Sequence, residues 1–262
     1  MIFQVITGLA YLGLALFLMR RIKHPEQEVP EMSKWMPLAP ALLHLFTVYL
    51  LIDNTSDLGQ NLSLLNLVSL TTLILVLLVA IYRFNKQTPH LMLYTAIIAG
   101  VLNWLSIIPE EPNIVNFSNN GLGVLHVWLS IIGFSLLFAA TLQSILVLVL
   151  HNKLRHKPSS IHQLLPPLLE MERFLSTLVL FGIICLGVAF GLGFGLPESV
   201  IKAQPLHKII LSLLAWFSFC TFYLGYKTSK ISGIRFARLC IIAFVILSLG
   251  FIGTKLVIQY IL

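Results

Sequence analysis

The chain has 262 residues, 58% of them hydrophobic and only 10% charged, with a formal net charge of +7. This balance excludes an ordinary soluble domain. The apolar residues come in continuous runs rather than in alternation, which excludes a membrane β-barrel.

Eight runs are each long enough to cross a hydrocarbon core of about 30 Å: about 1–19, 36–52, 63–82, 90–108, 122–150, 174–196, 207–226 and 236–262. The expected fold is therefore all-α: a polytopic membrane bundle of eight transmembrane helices, forming a single domain over 1–262. No basic residue precedes the first run, MIFQVITGLAYLGLALFLM, whereas Arg20, Arg21 and Lys23 follow it. A cleaved signal peptide has the opposite charge order, so this run reads as a retained helix.

One set of connections holds 14 of the 17 Lys and Arg residues, from Arg20 and Lys34 through Arg83, Lys86, Lys153, Arg155, Lys157 and Arg173 to Lys227, Lys230, Arg235 and Arg238. The other set holds Lys202, Lys208 and Lys255. Positive charge prefers the cytoplasmic side, which places both termini outside. The net charge thus reads as a topology signal and gives no support for a nucleic-acid partner; the expected setting is the lipid bilayer of the inner (cytoplasmic) membrane.

Taken in chain order, the polar residues inside these runs are the functional candidates. His44 lies in PLAPALLHLFTVYLLID, where its helical neighbours Pro40, Ala41, Thr47 and Val48 offer one hydroxyl. A buried imidazole with so little local help needs a partner on another helix, or a site to serve. Asn66 shares a face with Ser63 and Ser69, and Asn103 stands beside Trp104 at the end of the fourth run. Interhelical hydrogen bonding is the simpler reading for both asparagines, with support of a site as the alternative.

The fifth run is 29 residues long, about 43 Å of helix, so it tilts or projects beyond the hydrocarbon. His126 sits near its start, with Gly121 and Gly123 before it and Trp128 after it as an interfacial aromatic. Gly187, Gly191 and Gly195 recur every four residues in the sixth run, a spacing that suits close helix packing or room for a flat ligand. His207 follows Pro205 and opens the seventh run, with Lys208 beside it.

His126 and His207 fall at one depth on separate helices, with His44 about 12 Å deeper. Two such imidazoles suit the axial positions of a haem iron, with Lys208 available to a propionate. Zinc would want three or four ligands at close spacing, which the sequence does not supply. The other histidines, His24, His90, His151, His156 and His162, belong to the basic side and read as solvated. Cys185, Cys220 and Cys240 lie singly in apolar runs, with no C-x-x-C pair, and read as small core hydrophobes.

The stretches DLGQNLSLLNLVSL, LHVWLSIIGFSLL, PPLLEMERFLSTLVLFGIICLGVAFGLGF and HKIILSLLAWFSFCTFYLGYK resemble the cytochrome c assembly (CcsA-like) membrane family, in particular its short YpjD/HemX-like inner-membrane branch. The resemblance runs in order over nearly the whole chain. It implies non-covalent haem b handling at the outer face during cytochrome biogenesis, without enzymatic chemistry, and another cytochrome-assembly or membrane protein as partner. His126 stands where the family places an external haem-ligand histidine, in an H-V-x-x-x-x-x-S-Y-like stretch whose last two positions are here Gly133 and Phe134. The family's W-G-x-x-W-x-W-D motif is expected before the seventh run, where this chain reads GFGLPESVIKAQPLHK. Two other readings stay open beside haem handling. One is a non-haem accessory or regulatory membrane subunit. The other is a small-solute or ion transporter using His44 and Asn66 as a polar relay.

Overall fold

The computed structural model describes residues 1–24, 35–53, 59–85 (83–85 in backbone only), 89–116, 120–156, 166–197 and 204–253. Lys34, Lys86, Lys157, His162, Lys202 and Lys255 of the charge and histidine patterns lie outside them. Within them the fold is helical: α1 Ile2–Lys23, α2 Leu38–Ile52, α3 Leu64–Asn85, α4 Pro89–Leu105, α5 Gly121–His156, α6 Leu168–Gly193, α7 Leu206–Lys227 and α8 Gly233–Ser248, the last running into a π-helical turn over Leu249–Gly253. Six of these segments are long and apolar enough to cross a membrane, while α2 and α4 are shorter apolar helices. The protein is a multi-pass helical membrane protein.

Local chemistry sets many of the helix ends. Pro37, Pro167 and Pro205 immediately precede α2, α6 and α7, and Pro89 opens α4. The fixed φ of proline and its missing N–H suit a first turn, whose amides have no helical acceptor. Arg20, Arg21 and Lys23 occupy the last turn of α1, and Lys153, Arg155 and His156 that of α5. Cations there complement the negative end of the helix dipole.

Several boundaries differ from those expected from hydropathy, three of them instructively. The fifth helix continues past residue 150 to His156, 36 residues in all, or about 54 Å. It continues because a helix does not need apolar residues once it leaves hydrocarbon. The sixth begins at Leu168 rather than near 174 for the same reason, since its first turns carry Glu170, Glu172 and Arg173. The fourth stops at Leu105, where Ser106, Ile107 and Ile108 form tight turns on Asn103, Trp104 and Leu105 ahead of Pro109.

The helices fall into two compact units. The first contains α1–α4 and a two-stranded ribbon, β1 Gln60–Asn61 against β2 Ile114–Val115, antiparallel with Gln60 opposite Val115. Its core is the α1–α4 contact, where Gly8 faces Trp104 so closely that no side chain fits. A Cβ at Gly100 would lie 3.2 Å from Tyr11 Cβ. Polar bonds join the remaining helices: Thr7 and Thr47 pair at 2.9 Å, and Asn66 Nδ2 donates to the carbonyls of Leu51 and Asn61.

The second unit contains α5–α8, with α5 its most deeply buried helix. Here α5 and α6 interlock reciprocally. A Cβ at Gly133 would meet Leu186 at 2.8 Å, and one at Gly182 would meet Leu137 at 2.6 Å. Each glycine receives the leucine of its partner, four residues along each helix. Phe134, Phe138, Phe244 and Phe251 stack between α5 and the α8 region at centroid separations of 5.1–5.3 Å. A tight turn joins α7 to α8: Ser229 takes a left-handed φ of 57°, and Lys230 and Ile231 donate to the Gly225 carbonyl.

Candidate functional site

In the second unit, Asn120 sets the entry to α5. Its side-chain oxygen accepts from the Gly123 N–H at 2.9 Å, a standard N-cap. Six residues beyond Asn120, the half-buried His126 places its ring on the last turns of α6. Nδ1 lies 2.7 Å from the Ala189 carbonyl oxygen. A carbonyl only accepts, so Nδ1 carries a proton, and in the neutral ring the lone pair is on Nε2. Among the described residues Nε2 has no hydrogen-bond partner. Gly193 lies beside the ring, where a Cβ would come within 3.3 Å of Cε1 and 3.5 Å of Nδ1.

This is how metal-bound histidines are held, with the second ring N–H committed to a carbonyl or carboxylate and the other nitrogen presented. His126 is therefore arranged as an imidazole that could ligate a metal through Nε2. The remaining candidates are placed differently. His207 is exposed in the first turn of α7 and shares no hydrogen bond or ring contact with His126. Lys208 Nζ donates to Gln204 Oε1 at 2.7 Å, and Trp128 is exposed. Among the described residues no three His, Cys, Asp or Glu side chains cluster.

His44 belongs to the first unit, where it is fully buried. Its Nδ1 lies 3.0 Å from the Tyr11 hydroxyl and its Nε2 2.9 Å from Ser69 Oγ. Both ring nitrogens are thus engaged across three helices, the interhelical bond that its sequence environment called for. An imidazole so committed does not fit an iron ligand without giving up one of these bonds. Asn66 and Asn103 act in the same unit. Asn66 ties α3 to the end of α2, and Asn103 Nδ2 donates to the Gln4 carbonyl at 2.8 Å, while its Oδ1 is buried without a partner among the described residues.

The glycine stripe of α6 is only partly used for packing. Gly187 faces Trp216, whose indole N–H donates to the Ile183 carbonyl at 2.9 Å, whereas among the described residues nothing lies within 4 Å of a Cβ at Gly191. The close helix approach is made by Gly182 and Gly133 instead. Sequence spacing also missed a polar cleft of about 280 Å³ in the first unit, lined by Gln4, Asn61, Ser63, Asn66, Ser106 and Glu110. Glu110 closes one side of it by accepting from the Leu65 N–H at the start of α3. The cluster of Ser and Asn before the third run was its only sequence signal.

Comparison with known proteins agrees with this architecture. The sequence profile described as Cytochrome C assembly protein matches residues 32–262, and the chain belongs to that family. It is 26% identical over 207 residues to the Inner membrane protein YpjD of Escherichia coli strain K12, covering 78% of each chain, and matches that of E. coli O157:H7 equally. It is 29% identical over 138 residues to an uncharacterized 28.8 kDa protein in the nifR3-like 5' region of Azospirillum brasilense, covering 51% of this chain and 50% of the other. No solved structure matches.

Proposed function

We propose that this protein handles haem b non-covalently during cytochrome c assembly, in the inner membrane, with both termini outside. His126 is its principal iron ligand in this reading. The observation that carries it is the His126–Ala189 bond: it fixes a proton on Nδ1 and leaves Nε2 of the neutral ring without a partner among the described residues. When bound, haem would supply a redox-active iron that an imidazole nitrogen can ligate. The chain's own part is to bind, orient and shield. Ala189 orients the imidazole, Gly193 leaves room for it, and α5 and α6 hold both in a rigid interlocked pair.

His207, on a separate helix, is the proposed second ligand, and Lys208 is close enough in sequence to meet a propionate. The extended W-G-x-x-W-x-W-D motif is absent from the loop before α7, so haem is bound or passed on without that presentation surface. No covalent step is assigned to the protein, and its proposed partner is another membrane or cytochrome-assembly protein.

The test is the absorption spectrum of the detergent-purified protein, as isolated and after hemin addition. Haem bands that shift or fall in His126→Ala support the reading. A wild-type protein that takes up no hemin contradicts it and leaves the accessory-subunit alternative.

A further inference from the structure

We propose that Gly193 is the positioning residue for His126, the bare backbone position that allows the ring to settle on Ala189 in a single tautomer. This rests on the haem reading for its consequence but on geometry alone for its cause. The contact is made by the Nδ1–Cε1 edge of the ring, with a Cβ at 193 only 3.3 Å from Cε1 and 3.5 Å from Nδ1. At 3.3 Å a methyl group makes a tight contact that the ring must relieve by a shift of a few tenths of an ångström, and a branched side chain adds bulk at the same place. The same ring edge that meets residue 193 carries the nitrogen bonded to Ala189, so a displaced ring puts the 2.7 Å bond at stake.

Two features make that bond worth protecting. With the ring in place Ala189 is 1% exposed, and a short bond in such a setting is stronger than in water. The carbonyl also lies in the last turns of α6, whose end carries partial negative charge. A donor held against it makes Nε2 more electron-rich, as outer partners do for metal-bound histidines. Without the bond, the imidazole samples both tautomers, and half of the point of placing it on α6 is lost.

Gly191 supplies an internal control. It lies on the same helix two residues away, yet among the described residues nothing is within 4 Å of a Cβ built on it. Gly193→Val and Gly191→Val therefore make the same chemical change in the same helix end, one against the ring and one into open space.

The first readout needs no haem. In protein labelled with ¹⁵N-histidine, the His126 signals, identified by their loss in His126→Ala, are expected to report one tautomer protonated at Nδ1. Gly193→Val is expected to convert them to a tautomer mixture, Gly193→Ala to move them less in the same direction, and Gly191→Val to leave them alone. With hemin added, Gly193→Val is expected to weaken haem retention about tenfold, the usual scale for losing an outer partner, and to move the reduction potential upward.

Wild-type histidine signals in Gly193→Val, or equal changes in the two valine variants, overturn the proposal. Should Gly193→Val fail to insert, Gly193→Ala against Gly191→Ala decides it by the same signals. A tautomer change without haem uptake in the wild type upholds the positioning role and removes the haem reading, so the two fail separately.

Discussion

The hydroxyl of Tyr11 on α1 lies 3.0 Å from Nδ1 of His44 on α2, the two rings set edge to face at 81°. With Ser69 on the other ring nitrogen, this makes His44 a three-helix tie in the apolar interior. His126 is held by one nitrogen only. Two histidines that look alike in sequence are therefore opposites in chemistry, one fully used by the fold and one with a lone pair left over.

His44→Phe is expected to leave the Tyr11 and Ser69 hydroxyls without this partner and to lower stability by about 1 kcal/mol, the usual scale for polar bonds between membrane helices. Any haem spectrum should be unchanged. Thermal unfolding in detergent, followed beside the absorption spectrum, checks both. Loss of haem bands in a stable His44→Phe protein would return His44 to the ligand set.

Gly133→Ala places its methyl 2.8 Å from Leu186 Cγ and 3.1 Å from the Leu186 backbone nitrogen. Backbone cannot step aside as a side chain does, so a loss of about 1–3 kcal/mol is expected. Gly191→Ala, facing open space, should be neutral or gain up to about 1 kcal/mol from helix propensity. Comparing their melting temperatures tests whether α5 and α6 interlock as described.

Single cysteines at Asn113 and Gly195 should react with a membrane-impermeant thiol reagent added from outside, and single cysteines at His151 and Ser229 should not. The expectation follows from the division of basic residues. Labelling of Ser229→Cys from outside would reverse the proposed orientation.

The helices were legible because the bilayer imposes a one-dimensional rule, a continuous apolar run of fixed length. That rule is silent outside hydrocarbon, so the charged first turns of α6 and the last turns of α5 escaped it. For His44, the need for a distant partner was readable from Pro40, Ala41, Thr47 and Val48, but not that Tyr11 and Ser69 supply it, since spacing does not say which helices are neighbours. The same gap explains the glycines. Gly187, Gly191 and Gly195 share a stripe, yet the close approach falls on Gly133 and Gly182, which are tens of residues apart and are matched only through Leu186 and Leu137. His126 was legible as a candidate by position and family resemblance. Its tautomer was not, because the Ala189 carbonyl is a backbone group that any sequence would supply.

The most direct measurement is the absorption spectrum of the purified protein titrated with hemin, wild type against His126→Ala. Saturable uptake with sharp haem bands is expected for the wild type, and weakened uptake or shifted bands for the variant, because one imidazole leaves the axial position. Identical titrations for the two proteins, or no uptake by either, would contradict the assignment of His126 as the haem ligand.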